Sequence, residues 1–136
     1  MFVRDSMTPQ PITITLEESL QGAMELMAMK RIRHLPVVDA AGKLIGMVTD
    51  RDLRRVAPSP LFGGSSSQVE TQLEGTTVER IMIKAPATIA PGARLQEAMK
   101  LMVEKKYGAL PVVDAGRLIG IVTPIDVMKS WLHAQP

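Results

Sequence analysis

The chain contains an internal repeat, in which residues 7–53 align with residues 82–127 almost without a gap. Both copies carry the string L-P-V-V-D, which is followed by L-I-G-M-V-T-D-R-D in the first copy and by L-I-G-I-V-T-P-I-D in the second. The alignment slips by one residue, in the turn after Asp39 and Asp114. Because a repeat fixes the architecture before any local pattern does, this one predicts pseudo-two-fold symmetry and two related clefts.

The length of a single copy indicates that the two copies fold together. Each has about 50 residues, which is fewer than the roughly 70–80 at which one hydrophobic core usually suffices. The 136 residues are 46% hydrophobic and include ten methionines, which predicts an aliphatic core padded by methionine. We therefore expect one folding unit, with a first repeat at 1–56, an inter-repeat loop at 57–76 and a second repeat at 77–133.

Hydrophobic patterning predicts the order β-α-β-β-α in each copy, and hence an α/β (α+β) fold. Short extended segments are expected at 11–14 and 86–89. A capping box of Thr15 and Glu18 predicts that the first helix begins at Thr15, and Pro91 is expected at the first position of the matching helix. Two apolar strands follow each helix, and their Val, Ile and Leu content is typical of strands covered on both faces.

A second helix in each copy and a connection between the copies complete the chain. The second helices are expected to begin after Thr49 and after Thr123. The stretch 57–67 reads A-P-S-P-L-F-G-G-S-S-S, which predicts a mobile loop. One helical turn is expected at 69–73.

Composition and charge argue against several classes of function. The chain has no cysteine, which excludes disulfides, thiolate metal sites and a cysteine nucleophile. Its net charge of +2, with acids and bases interspersed, is too mild to indicate nucleic acid. No signal peptide is evident, and no apolar run approaches the ~18 residues of a membrane span. We expect a cytoplasmic protein with no nucleic-acid or membrane partner, no metal and no enzymatic activity, because no phosphate loop, catalytic triad or metal constellation is recognised.

A threonine and an aspartate three residues later follow a strand in both copies, within the motif G-x-V-T-x-x-D at Gly46–Asp52 and Gly120–Asp126. One interpretation is structural, because Thr-x-x-Asp is an ordinary helix cap and the aspartate suits the positive end of the helix dipole. The other is functional. A helix N-terminus binds phosphate, a carboxylate accepts bonds from both ribose hydroxyls, and the glycine lets a ligand approach the backbone closely. For one copy alone, the cap interpretation has the greater weight.

These motifs resemble a tandem pair of cystathionine β-synthase (CBS) domains, a Bateman module, over residues 5–132. The resemblance implies clefts between the repeats that bind adenosine-containing ligands such as AMP, ADP or ATP. In that pattern the aspartate holds the ribose, the threonine contacts ribose or phosphate, and main chain near the first strand reads the adenine. Carried over by position, the resemblance implies one cleft with Thr49, Asp52, Thr13 and Ile14, and a second with Thr123, Asp126, Thr88 and Ile89.

The two copies differ immediately before L-P-V-V-D, where the first copy has Arg33 and His34 and the second has Gly108 and Ala109. Basic residues at these positions reach the phosphates in nucleotide-binding members of the family that the chain resembles. This implies that the cleft with Arg33 and His34 is the better nucleotide site. From the residues alone, a solvated helix end that suits the dipole explains them equally well. The second cleft is expected to bind weakly, to take a less charged ligand or to stay empty.

Two functions remain open at this point. The first is a non-catalytic regulatory module that needs no cofactor, senses an adenosine-containing ligand such as an adenine nucleotide, and signals to an unidentified effector protein. In it, the loop at 57–67 is a plausible element to order on binding. The alternative is a ligand-independent interaction or dimerisation module with vestigial clefts. An apolar stripe near the C-terminus fits a homodimer contact and intramolecular burial equally well; it consists of Val127, Met128, Trp131 and Leu132.

Overall fold

The structure is a computed structural model that describes residues 1–56 and 66–135. Residues 57–65 of the loop expected at 57–67, the loop that was also expected to order on binding, lie outside the described residues. In chain order the helices and strands are α1 (Val3–Ser6), β1 (Thr8–Pro9), α2 (Leu20–Lys30), β2 (His34–Val38), β3 (Leu44–Thr49), α3 (Asp50–Val56), α4 (Ser66–Gly75), β4 (Ile83–Lys84), α5 (Leu95–Lys105), β5 (Leu110–Asp114), β6 (Arg117–Val122) and α6 (Pro124–Ala134). A 3-10 turn at Val78–Arg80 precedes β4.

The described residues form two compact units, each discontinuous in sequence. One unit, here the first-repeat unit, comprises Ile12–Ala40 and the described part of Ile45–Ala85. The other, the second-repeat unit, comprises Met1–Pro11, Ala41–Leu44 and the described part of Pro86–Pro136. The units therefore divide the chain differently from the repeats expected at 1–56 and 77–133.

Each unit contains a mixed α+β arrangement with a three-stranded sheet, which confirms the expected fold class. The strand order is β2-β3-β4 in the first-repeat unit and β1-β6-β5 in the second-repeat unit. The short outer strand is antiparallel to its neighbour in both cases: Met47 faces Ile83, and Ile121 faces Thr8. Both short strands belong to segments that lead into the other copy of the repeat, namely 76–84 and 1–9, which we call the lead-in segments.

The two hydrophobic cores are built from corresponding residues. In the first-repeat unit, one face of α2 packs with strand residues Leu35, Val37 and Val48. In the second-repeat unit, α5 packs in the same way with Leu110, Val112 and Val122. The lead-in segments contribute Val78 to the first core and Val3 to the second, and both side chains are completely buried. The aliphatic core expected from composition is therefore present twice, and each copy is completed by residues from outside its own repeat.

The first helices begin later than the sequence predicted. The capping box of Thr15 and Glu18 does not form; α2 begins at Leu20, and its cap is Ser19, whose Oγ accepts a hydrogen bond from the Gly22 N–H at 2.9 Å. The reason lies in the lead-in segment. The Glu18 carbonyl accepts the Val78 N–H at 2.8 Å, and the Leu20 N–H donates to the Thr76 carbonyl at 2.9 Å, so this segment bonds to the chain on both sides of Ser19.

The second copy shows the same delay. Pro91 lies in a turn and not at the first helical position, because α5 begins at Leu95. The carbonyls of Pro91 and Ala93 accept hydrogen bonds from Arg4 and Val3, at 3.1 and 2.9 Å. Both lead-in segments therefore occupy the backbone that the sequence assigned to a first helical turn.

The remaining elements agree more closely with expectation. The second helices begin directly after Thr49 and at Pro124, and the extended segments pair through single parallel bridges at Ile14 and Ile89. The turn expected at 69–73 is part of the longer α4. Over the residues that the structure describes, no helix is long and apolar enough to cross a membrane.

Candidate functional site

The motif threonine and aspartate of the first copy form a reciprocal helix cap. Thr49 ends β3, and Asp52 lies in the first turn of α3. One carboxylate oxygen of Asp52, Oδ2, accepts hydrogen bonds from the Thr49 N–H at 3.2 Å and from the Thr49 hydroxyl at 2.8 Å. The Asp52 N–H donates in return to Thr49 Oγ1 at 3.1 Å. The structural interpretation of the motif is thus confirmed for this copy.

The second copy repeats this cap. Asp126 Oδ2 accepts from the Thr123 N–H at 2.9 Å and from the Thr123 hydroxyl at 3.1 Å, and the Asp126 N–H donates to Thr123 Oγ1 at 3.3 Å. In both copies the cap uses Oδ2 and the hydroxyl proton of the threonine. A threonine bond to a phosphate oxygen would therefore have to replace its bond to aspartate, whereas Oδ1 is not needed for the cap.

The second carboxylate oxygen of Asp52, Oδ1, takes no part in the cap. Asp52 is half-buried, and among the described residues no hydrogen bond reaches its Oδ1. A carboxylate offers about four acceptor positions over its two oxygens. The cap and two ligand hydroxyls can thus share Asp52, so the structural and functional interpretations of the motif are compatible.

The basic pair of the first copy lies beside this cap. The Asp50 N–H donates to the Arg33 carbonyl at 3.0 Å, which ties the residue before β2 to the first residue of α3. Arg33 is exposed and His34 is half-buried. In the second copy the corresponding residues are Gly108 and Pro124, and proline has no N–H with which to make this bond. The structure therefore holds the main chain of Arg33 against the first residue of α3 and places His34 near the carboxylates of Asp50 and Asp52. The matching residues of the second copy, Gly108 and Ala109, carry no charge.

The surroundings of His34 favour its neutral form. Burial lowers the pKa of His34 from its usual 6.5, and the positive charge of Arg33 lowers it further, whereas the nearby carboxylates of Asp50 and Asp52 oppose this shift. Arg33, the second basic residue of this pair, is adjacent to His34 in sequence. A phosphate placed beside His34 would favour the charged form of His34 and raise its pKa.

The residues expected to read adenine lie on the extended segments. The Ile14 N–H donates to the Pro36 carbonyl and the Ile14 carbonyl accepts the Val38 N–H, both at 3.0 Å. Ile89 makes the equivalent bonds to Pro111 and Val113. Both isoleucine side chains are buried, whereas Thr13 and Thr88 are exposed. Among the described residues, no hydrogen bond joins these positions to the caps.

The motif glycine of each copy packs closely against a lead-in segment. A Cβ on Gly46 would collide with the sulfur of Met82 and would lie 3.1 Å from the Ile83 carbonyl oxygen. A Cβ on Gly120 would collide with the sulfur of Met7 and would lie 3.1 Å from the Thr8 carbonyl oxygen. The expectation that this glycine admits a ligand to the backbone is wrong, because the lead-in segment already fills the space.

Sequence reasoning missed one residue at the second cap. Thr8, on β1, donates its hydroxyl to Asp126 Oδ1 at 3.3 Å. The two residues are far apart in sequence, so no local motif connects them. The repeat alignment does show a difference at this position, because it aligns Thr8 with Ile83. The isoleucine side chain cannot form this hydrogen bond.

The sequence profile of the CBS domain matches residues 3–59 and 78–133. A CBS domain-containing protein of Dictyostelium discoideum is 38% identical over 129 residues, which cover 94% of this chain and 89% of the relative.

Solved structures agree with this match. The structure of CBSX2 in complex with AMP has a TM-score of 0.83 and 32% identity, covering 97% of this chain and 96% of that one. The CBS domain pair of protein MJ0100, in complex with 5-methylthioadenosine and S-adenosyl-L-methionine, has a TM-score of 0.79 and 26% identity, covering 99% and 98%.

Proposed function

Because this chain belongs to the CBS domain family, we propose that it is a regulatory module that senses an adenosine-containing ligand and binds it chiefly in the first-repeat unit. The observation that carries the proposal is the Asp52 carboxylate, whose Oδ1 receives no hydrogen bond from the described residues, beside Arg33 and His34. The similarity to CBSX2, solved with AMP, and to the MJ0100 pair, solved with two adenosine derivatives, supports the ligand class.

Each part of an adenine nucleotide has a counterpart in this site. The two ribose hydroxyls donate to Asp52 Oδ1, and the phosphate pairs with the exposed guanidinium of Arg33. His34 donates a hydrogen bond to the phosphate and takes up a proton as the phosphate raises its pKa. The adenine edge bonds to the main chain of Thr13. These roles involve binding alone, so we propose a sensor and not an enzyme, with an effector protein to respond to the bound state.

The ligand is identified first by thermal unfolding with AMP, ADP, ATP, S-adenosylmethionine and NAD. A ligand present at about 100 times its dissociation constant stabilises the folded state by about 2.7 kcal/mol. We expect at least one of these compounds to raise the melting temperature, because all of them carry the adenosine that the site recognises. No shift with any of them would contradict the proposal.

Calorimetry on variants then tests the assignment of residues. Asp52→Asn removes the charge that the ribose hydroxyls bind and should weaken AMP binding by about 10- to 100-fold. Asp126→Asn makes the same change in the other cap and should leave the affinity of the first-repeat unit for AMP unchanged. Loss of AMP binding in Asp126→Asn alone would show that the site is assigned to the wrong unit.

A matched pair of arginine variants tests the phosphate contact. Arg33→Ala should weaken binding of AMP but not of adenosine, because only AMP presents a phosphate to the guanidinium. Arg31→Ala, which removes an exposed arginine two residues away, serves as the control. Equal losses of AMP and adenosine affinity in Arg33→Ala would argue for a structural role at the helix end.

We also propose that the chain forms a homodimer, on the strength of an apolar surface in the second-repeat unit. Helices α5 and α6 border an open groove of about 620 Å³ with almost entirely apolar walls. Met128, Trp131 and Leu132 border it, with 54%, 62% and 64% of their surfaces exposed. Exposed apolar patches of this kind often mark protein–protein contacts.

Light scattering on two variants of one helix tests the homodimer. Trp131→Glu should convert a dimer into a monomer, because it places a charge in the middle of the apolar surface. Lys129→Glu changes an exposed residue of the same helix and should preserve the dimer. A monomeric wild-type protein at micromolar concentration would contradict this proposal and leave the ligand site unaffected.

A further inference from the structure

The two capping aspartates differ in what reaches their second oxygen. In the second-repeat unit, Thr8 lies on β1 opposite Ile121 of β6, and its hydroxyl donates to Asp126 Oδ1 at 3.3 Å. In the first-repeat unit, Ile83 takes the same place: it lies on β4 opposite Met47 of β3. Isoleucine has no hydrogen-bond donor in its side chain, so this contact exists in one unit only.

The two aspartates differ in the number of hydrogen bonds that they can still accept from a ligand. A carboxylate accepts about four hydrogen bonds. At Asp52 the cap uses two, and the described residues leave Oδ1 able to accept two more. At Asp126 the cap uses two and Thr8 a third, so about one position remains. A ribose presents two adjacent hydroxyls, and only Asp52 can accept both without losing an existing bond.

We propose that Thr8 determines specificity by closing the Asp126 carboxylate to the vicinal diol of a ribose. The Asp52 site then selects ribonucleosides, whereas the Asp126 site accepts a ligand whose sugar has no vicinal diol, such as a 2′-deoxynucleoside. The inference rests on the proposed adenosine-binding function. In this proposal the two units would differ in ligand affinity even for a ligand without a phosphate, because Thr8 affects binding of the sugar and Arg33 affects binding of the phosphate.

Isothermal titration with adenosine tests the role of Thr8, because an uncharged nucleoside removes the contribution of Arg33. Thr8→Val keeps the shape of the side chain and deletes the hydroxyl. It should raise adenosine affinity at the Asp126 site by about tenfold, equivalent to about 1.4 kcal/mol. Adding Asp126→Asn should abolish this gain. Affinity for 2′-deoxyadenosine at that site should change less than affinity for adenosine.

The reciprocal variant provides the matched control. Ile83→Thr introduces the hydroxyl beside Asp52 and should weaken adenosine binding at the first-repeat unit by about tenfold. Thermal unfolding of each variant verifies that it is folded.

The outcomes separate the two proposals. Wild-type binding at Asp52 with no gain in Thr8→Val and no loss in Ile83→Thr overturns the role of Thr8 and leaves the proposed function standing. Equal adenosine affinity at both sites of the wild type also overturns it. The absence of adenosine binding in the wild type, in Thr8→Val and in Ile83→Thr overturns the proposed function itself.

Discussion

At the scale of single residues, the same helix cap occurs in two different surroundings. Thr49–Asp52 and Thr123–Asp126 make the same three hydrogen bonds, so the caps alone give no reason for the units to differ. The differences come from neighbours that other segments bring in. Arg33 and His34 stand before β2, and Thr8 reaches Asp126 from β1. Under the proposed function, the residues around the motif, and not the motif itself, would therefore distinguish the ligands of the two units.

The sequence predicted these residues to different degrees. Thr49, Asp52, Thr123 and Asp126 follow from a local motif, because a cap depends on residues within one helical turn. Thr8 does not, because its contact with Asp126 depends on how the chain folds back. The close packing of the motif glycine does not follow from a local motif either, because the residues that crowd it come from a lead-in segment.

The titration of His34 gives a prediction at this scale. Its pKa lies below 6.5 in the folded protein, so the unfolded chain binds a proton more readily. The stability that neutral His34 contributes is therefore fully present above about pH 6.5 and is lost as the pH falls through the folded-state pKa. Urea unfolding of wild type and of His34→Gln between pH 7.5 and 5 should show a difference in stability that changes with pH.

The pH profile has a clear control. His133→Gln replaces an exposed histidine near the end of α6. It shows how much the pH dependence of stability changes when a histidine that is not buried is lost. Parallel stability profiles for wild type and His34→Gln would show that burial of His34 does not affect its protonation.

At the scale of elements, hydrophobic patterning located strands and second helices well but misplaced the starts of the first helices. The strands and the helices after Thr49 and Thr123 depend on local periodicity and caps. The starts of α2 and α5 depend on the lead-in segments, which bond to the backbone of Glu18 and of Pro91. Hydrogen bonds to a segment distant in sequence thus form in place of the capping box that the local sequence predicts.

The hairpin between β5 and β6 gives a prediction at this scale. Ala115 and Gly116 both have positive φ, 51° and 82°, as in a type I′ turn, where Asn-Gly is preferred and alanine is strained. Ala115→Asn should therefore raise stability by about 0.5–1 kcal/mol, seen as an increase in melting temperature of about 2–4 °C.

The corresponding turn of the first copy supplies the control. It is one residue longer, and Ala40 is not among the residues with positive φ. Ala40→Asn should therefore give no such increase. Equal effects of the two substitutions would mean that asparagine acts through the unfolded chain and not through the turn.

At the scale of the whole molecule, the repeat predicted two similar halves but not the composition of each. Each core is completed by the segment before the other copy, so residues 1–9 belong to the second-repeat unit and 76–84 to the first. The repeat alignment alone cannot reveal this exchange, because lead-in segments of the same pattern precede both copies. The strand pairing of β1 with β6 and of β4 with β3, together with the burial of Val3 and Val78 in the two cores, distinguishes the two arrangements.

The exchange predicts where a mutation near the N-terminus acts. Val3 is completely buried in the core around Leu110, Val112 and Val122. Val3→Ala should cost about 2 kcal/mol through lost burial and a residual cavity. In native-state hydrogen exchange, the loss of protection should be greatest in β5 and β6, although these strands lie more than a hundred residues further along the chain.

Two further variants make this test decisive. Val78→Ala removes the equivalent buried side chain of the other lead-in segment and should lower protection in β2 and β3 instead. Val103→Ala, at a valine that is 76% exposed, should change stability by less than about 0.5 kcal/mol. If Val3→Ala mainly weakened β2 and β3, the N-terminal segment would stabilise its own repeat, and the exchange of lead-in segments would be refuted.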